Sequence, residues 1–186
     1  MVDLLLQLLQ TYISMKKIMI LLAFLLCLQA GYAQKTAAER KIALDFNDFC
    51  ADISDSTYRL GLQLGGKIKE GLGTREMKGI KPLSKQILSY LDKQAVLLKN
   101  KKIPLEMEIL RTMMLTYISV EKEFLVTFDD FENLPKGFSD EAFKVKYEKL
   151  MSHSQKETEV LADFNKVAEA CGIVFGYKIR DDENDE

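Results

Sequence analysis

The chain has 186 residues, with 26 Lys+Arg against 28 Asp+Glu, a formal net charge of −2, one histidine, three cysteines and no tryptophan. So even a charge balance excludes the basic field by which proteins hold nucleic acid. The single histidine leaves His153 to serve every histidine-dependent chemistry.

Residues 1–14, "MVDLLLQLLQTYIS", read as a mis-started leader, because a complete export signal begins at Met15. Lys16 and Lys17 form its basic head, Ile18 to Leu28 its apolar middle, and Gly31-Tyr32-Ala33 its small-x-small exit. The apolar run falls well short of the roughly 20 residues that a stable membrane anchor needs. Leu26 stands before Cys27 where a lipoprotein signal wants a small residue. Cleavage between Ala33 and Gln34 is therefore expected, with residues 15–33 removed and the remainder exported to the periplasm or outside. Without Lys16, Lys17 and Asp3 the chain keeps 24 basic and 27 acidic side chains, and five of those acids lie in "DDENDE", residues 181–186. That stretch reads as a disordered acidic tail after a domain spanning 34–180.

Apolar spacing predicts four helices in the domain. The first runs from Thr36 to about Glu70 on Ile42, Phe46, Phe49, Ile53, Leu60, Leu64 and Ile68. The second covers Pro82 to Lys99, with Ile87, Leu91, Ala95 and Leu98 inward, which leaves 69–81 as irregular chain. A groove, if present, is expected where that chain leaves the other helices less covered. The third opens at Pro104 and carries Leu110, Met113, Tyr117, Val120, Phe124, Phe128 and Phe131 until "NLPKG" stops it. The fourth starts at "GFSDEAF", with Ser139 as N-cap and Phe138 stapled on Phe143. "GIVFGYKIR", residues 172–180, fits either an extended piece or a fraying helix end. The fold class is all-α, an antiparallel up-down-up-down four-helix bundle, which buries four one-sided stripes with the shortest connections.

"GLQLGGK", residues 61–67, begins like a phosphate-binding loop. Helical spacing precedes it, and Ile68 stands where a magnesium-binding hydroxyl belongs. Gly61, Gly65 and Gly66 read instead as a place of close helix packing, or as a weakening of the first helix. No C-x-x-C-H attaches a haem and no Glu-x-x-His pair builds a di-iron site, so no metal, cofactor or catalytic residue is assigned. Cys50 and Cys171 are an even pair in an oxidising compartment and candidates for a disulfide.

Two groups could bind something. Asp45, Asp48, Asp52 and Asp55 form an acidic stripe, either paired with lysines such as Lys146 and Lys149 or open to a cationic ligand or basic partner. Thr57, Tyr90, Tyr117, Ser154 and Thr158 interrupt the apolar stripes near mid-height, either back-bonded to their own helices or lining a small polar pocket. The expected function is an exported, non-enzymatic binding or interaction module whose partner is a protein or a small molecule, without nucleic acid or a transmembrane anchor. An enzyme with a carboxylate and tyrosine site, or a structural envelope-associated protein, is the alternative.

Overall fold

The computed structural model describes residues 35–178 and folds them into four α-helices. They are α1 (Ala37–Thr74), α2 (Ile80–Asn100), α3 (Glu108–Asp129) and α4 (Asp140–Phe175), with 3-10 turns at Leu105–Met107 and Asp130–Asn133. The leader at 1–14, the signal peptide with its Ala33–Gln34 cleavage site, and the acidic tail at 181–186 all lie outside the described residues.

Local chemistry sets the helix ends. Thr36 opens α1 with a reciprocal capping box: its amide donates to the Glu39 carboxylate at 2.8 Å, and its hydroxyl accepts from the Glu39 amide at 3.2 Å. Ser139 accepts from the Ala142 amide at 3.2 Å to open α4, and the Phe138 and Phe143 rings stack with centroids 6.1 Å apart. Gly176, at φ +69°, closes α4, so "GIVF" belongs to the helix. Pro104 does not begin α3 directly. The Met107 amide bonds the Pro104 carbonyl at 3.0 Å, winding a 3-10 turn first.

The connection expected across 69–81 is much shorter. α1 continues to Thr74, and the chain turns between Arg75 and Gly79. Gly71 makes this possible, because a Cβ there would sit 2.4 Å from the Met77 sulfur. α2 then begins without a cap of its own. Its exposed amides are satisfied from across the bundle, where the Glu132 carboxylate accepts from Gly79 at 3.0 Å and Lys81 at 2.8 Å. Glu132→Ala should cost about 1–2 kcal/mol, read as a lower urea midpoint at unchanged slope.

The helices contact one another in a ring, α1 to α2 to α3 to α4 and back to α1, with α3–α4 the most extensive pair and α1–α4 the loosest. Phe46, Ile53 and Leu64 of α1 meet Ile87 and Leu91 of α2, Leu110 and Met114 of α3, and Phe164 and Phe175 of α4 in one core. Ile42 and Tyr147, expected inward, are exposed, and Ala43 takes the buried place beside Phe46. Gly61, Gly65 and Gly66 lie inside α1, and a Cβ on any of them would meet nothing within 4 Å. The close approach belongs to Gly71 instead. Among the described residues no helix is long and apolar enough to cross a membrane.

Candidate functional site

Because α1 leans only loosely on α4, a cleft of about 530 Å³ opens between them. Asp48, Asp52, Asp55 and Tyr58 line the α1 wall with Asn47, Ala51 and Ser54. Helical geometry places these residues immediately beside the buried stripe of Phe46, Cys50, Ile53 and Thr57. The α4 wall carries Glu157, Leu161, Phe164, Asn165, Ala168 and Glu169. Tyr117 of α3 forms the floor. A groove was expected where the chain at 69–81 leaves the other helices less covered; the cleft lies instead along the first half of α1, and a more open hollow lies between α1 and α2 around Gln63, Lys67 and Pro82.

Tyr117 and the side chain packed one turn beyond it are electrostatically unusual. Tyr117 is 2 % exposed and Glu121, one turn further along α3, 6 % exposed. Burial pushes the Glu121 carboxyl up to about 8, and hydrogen bonding with Glu157 and that residue's charge add to the rise. Glu121 is therefore a neutral acid at pH 7. Burial also raises the Tyr117 phenol, helped by the negative charge of Glu121 and Glu157 and opposed by a bond with Ser54. Glu121 Oε1 has no hydrogen-bond partner.

Charge is unbalanced along the walls as well. Asp48, Asp52, Asp55, Glu157 and Glu169 line the cleft without a lysine or arginine among them. Every ion pair of the described residues lies elsewhere. Lys146 and Lys149, the expected partners of the acidic stripe, both reach Asp130, at 4.0 and 2.8 Å. Asp45 departs from the other three aspartates: it bonds Lys41 at 2.8 Å on the exposed side of α1. Between the first and third connections Arg75 forms an ion pair with Asp140, and Lys81 donates a hydrogen bond to the Asn133 side-chain oxygen at 2.9 Å.

Of the five mid-height polar residues, Tyr117 alone lines the cleft. Thr57 is buried and donates to the Ile53 carbonyl at 2.7 Å, and Thr158 donates to the Ser154 carbonyl at 3.0 Å. Tyr90 is half-buried on α2, which contributes nothing to the cleft. His153 places Nδ1 3.0 Å from the Lys149 carbonyl of its own helix. No group of three or more His, Cys, Asp or Glu among the described residues could hold a metal ion.

Glu121 and Glu157 escaped the sequence reading. The signal for Glu121 was present: Met114, Tyr117, Ile118, Glu121, Leu125 and Phe128 keep helical spacing, which puts this acid on the buried face of α3. Nothing comparable marks Glu157, whose meaning comes from what α1 and α3 bring to it.

Cys50 and Cys171 are both buried, and no disulfide joins them in the structure. They are close enough to feel each other. Burial pushes Cys50 up to about 12, Cys171 adds to the rise, and Lys101 opposes it. A thiol so far from ionisation is a poor nucleophile. In the chain from Gln34, iodoacetamide at pH 8 should leave both cysteines unlabelled in the folded state. Both should label in guanidinium chloride without reductant. Unfolded protein that labels only after reduction would reveal a bridge.

Comparison with protein-family models, curated proteins and solved structures finds no match to this chain.

Proposed function

We propose that the chain is an exported binding protein, an antiparallel up-down-up-down bundle that holds a small molecule in the cleft between α1 and α4. The observation that carries this reading is a concave cleft lined by five carboxylates, none of them in an ion pair, with Tyr117 at its floor. Unneutralised like charges repel. A fold keeps such an arrangement at a concave surface when something else completes it. The volume falls within the range of small-molecule sites. The winding is supported by contacts at both ends of α1, where Lys35 lies over the Phe175 ring and Arg75 pairs with Asp140. Export rests on the signal layout at 15–33, and N-terminal sequencing of the secreted form should begin at Gln34.

A second reading is an acid–base enzyme, favoured by one observation: Glu121 and Glu157 interact as a carboxyl pair, and the first is poised near neutral pH. Native mass spectrometry of the chain from Gln34, before and after reduction, separates these readings. A binding protein carries a molecule that Ala51→Trp, which fills the cleft, causes it to lose. An enzyme of this kind would instead turn over a bound compound into a product of different mass, abolished in Glu121→Gln. No bound mass, and no change with Ala51→Trp, would end the binding reading.

A further inference from the structure

We infer that the outward face of α1 pairs with the same face of a second copy of this chain, antiparallel and across a two-fold axis. The resulting homodimer does not depend on a ligand in the cleft.

α1 carries two stripes. One, through Phe46, Ile53, Leu64 and Ile68, is buried in the core. The other runs Tyr58, Leu62, Gly65, Lys69 and Leu72, at alternating steps of four and three. That is the spacing by which one helix meets another in a coiled coil. Tyr58 is 67 % exposed and Leu62 57 % exposed, and Leu72 also faces outward. A Cβ on Gly65 would meet nothing within 4 Å. Among the described residues, then, no other element covers this second seam.

Charge decides what covers it. Asp48, Asp52 and Asp55 accompany the first part of the seam, and Lys67, Lys69 and Arg75 the second. Asp52, Asp55 and Lys69 take part in no ion pair among the described residues. The two residues that run against the pattern are engaged within α1: Lys67 holds Glu70 at 2.9 Å, and Arg59 donates to the Ser56 hydroxyl at 3.4 Å. Parallel pairing sets acid on acid and base on base. Antiparallel pairing sets the acidic part of each helix on the basic part of the other. The face is therefore its own complement, as an isologous interface requires.

Knobs and holes then fix the register. A two-fold axis passing between Gln63 and Leu64 lays Leu62 on the partner's Gly65, where the missing side chain leaves a hole for it. The same axis brings Tyr58 beside the partner's Lys69, whose ammonium can rest on the ring or reach Asp55 one turn away. Each contact occurs twice. Asp48, Glu157 and Glu169 stay open in the cleft. The seam from Asp55 to Leu72 is about 25 Å long, and two helices packed along it bury on the order of 1,000 Å² in total, the low end for a specific interface. The dimer should accordingly form in the micromolar range.

Sedimentation equilibrium of the chain from Gln34, from about 1 to 300 µM, tests this. A monomer–dimer equilibrium is expected, weakened by sodium chloride. Gly65→Lys fills the hole and should weaken the dimer at least roughly tenfold. Because lysine is the better helix former, the same variant should melt no lower than the parent, which separates loss of pairing from loss of fold. Asp55→Lys and Lys69→Asp should each weaken the dimer by about tenfold, and the double variant should return it to within about threefold of the parent. Val126→Lys, at an exposed position on α3, should change nothing.

Monomer at every concentration overturns the pairing and leaves the face to a different protein or to residues outside 35–178. Association that survives Gly65→Lys, or that Val126→Lys abolishes, puts the interface elsewhere and overturns it too. A double variant as weak as the singles overturns the antiparallel register.

Discussion

Replacing Glu121 with Gln should stabilise the fold at pH 8 and leave it nearly unchanged at pH 4.5. The carboxyl titrates near 4.5 in the unfolded chain and is pushed up to about 8 in the fold by burial beside Glu157. Below pH 4.5 both states hold the proton, and the residue is neutral in the balance. As pH rises from there the unfolded state releases its proton while the folded state keeps it, so stability falls until the folded carboxyl also ionises. Each unit of difference corresponds to about 1.4 kcal/mol, which makes the accumulated loss a few kcal/mol by pH 8. Glutamine has the shape of the protonated acid and escapes this loss. The expected result is a melting temperature raised by on the order of 5–10 °C at pH 8, with the two proteins converging near pH 4.5. Parallel melting curves across that range would show that Glu121 ionises in the fold as it does in water.

Phe131→Ala should be the most damaging truncation near the loops, at about 3–5 kcal/mol. Phe131 is fully buried in the 3-10 turn that follows α3. Its ring lies 5.5 Å from Phe143, which in turn stacks on Phe138 at 6.1 Å and Tyr147 at 5.9 Å. This chain of rings fixes the end of α3 to the start of α4. Glu132, the next residue, holds the first amides of α2. A cavity at Phe131 therefore loosens three helices at one point. Tyr147→Ala, at the exposed end of the same chain of rings, should cost under about 1 kcal/mol. Urea unfolding of both variants checks the contrast. Comparable losses would mean that ring contact, rather than burial, carries the effect.

The helices were legible because their signals are local. "GFSDEAF" specifies the start of α4 through one hydroxyl and one pair of rings, and both are found in place. The connection from α1 to α2 was not legible, since what allows it is remote. Gly71 matters because Met77 folds against it, and α2 starts at Ile80 because a carboxylate more than fifty residues away caps it. The acidic stripe shows the same division. Its period could be read from Asp48, Asp52 and Asp55, but whether it meets water, lysines or another wall of acids depends on how α1 is turned toward α4. Glu121 lay within reach of sequence reasoning, on the buried face of α3. Only packing brings Glu157 to it.

Gly61, Gly65 and Gly66 give α1 an uneven stiffness. Before them the helix carries the acid-bearing wall, and after them it is tied down through Gly71 and Met77. Between lie three positions with no side chain to shield the helix amides or to resist bending. Both halves of this 38-residue rod are packed in the core, through Phe46 and Ile53 before the glycines and Ile68 after them. The glycines are the softest part of the rod, so the gape of the mouth between the two long helices is expected to depend on them. Deuterium should enter there before it enters either half.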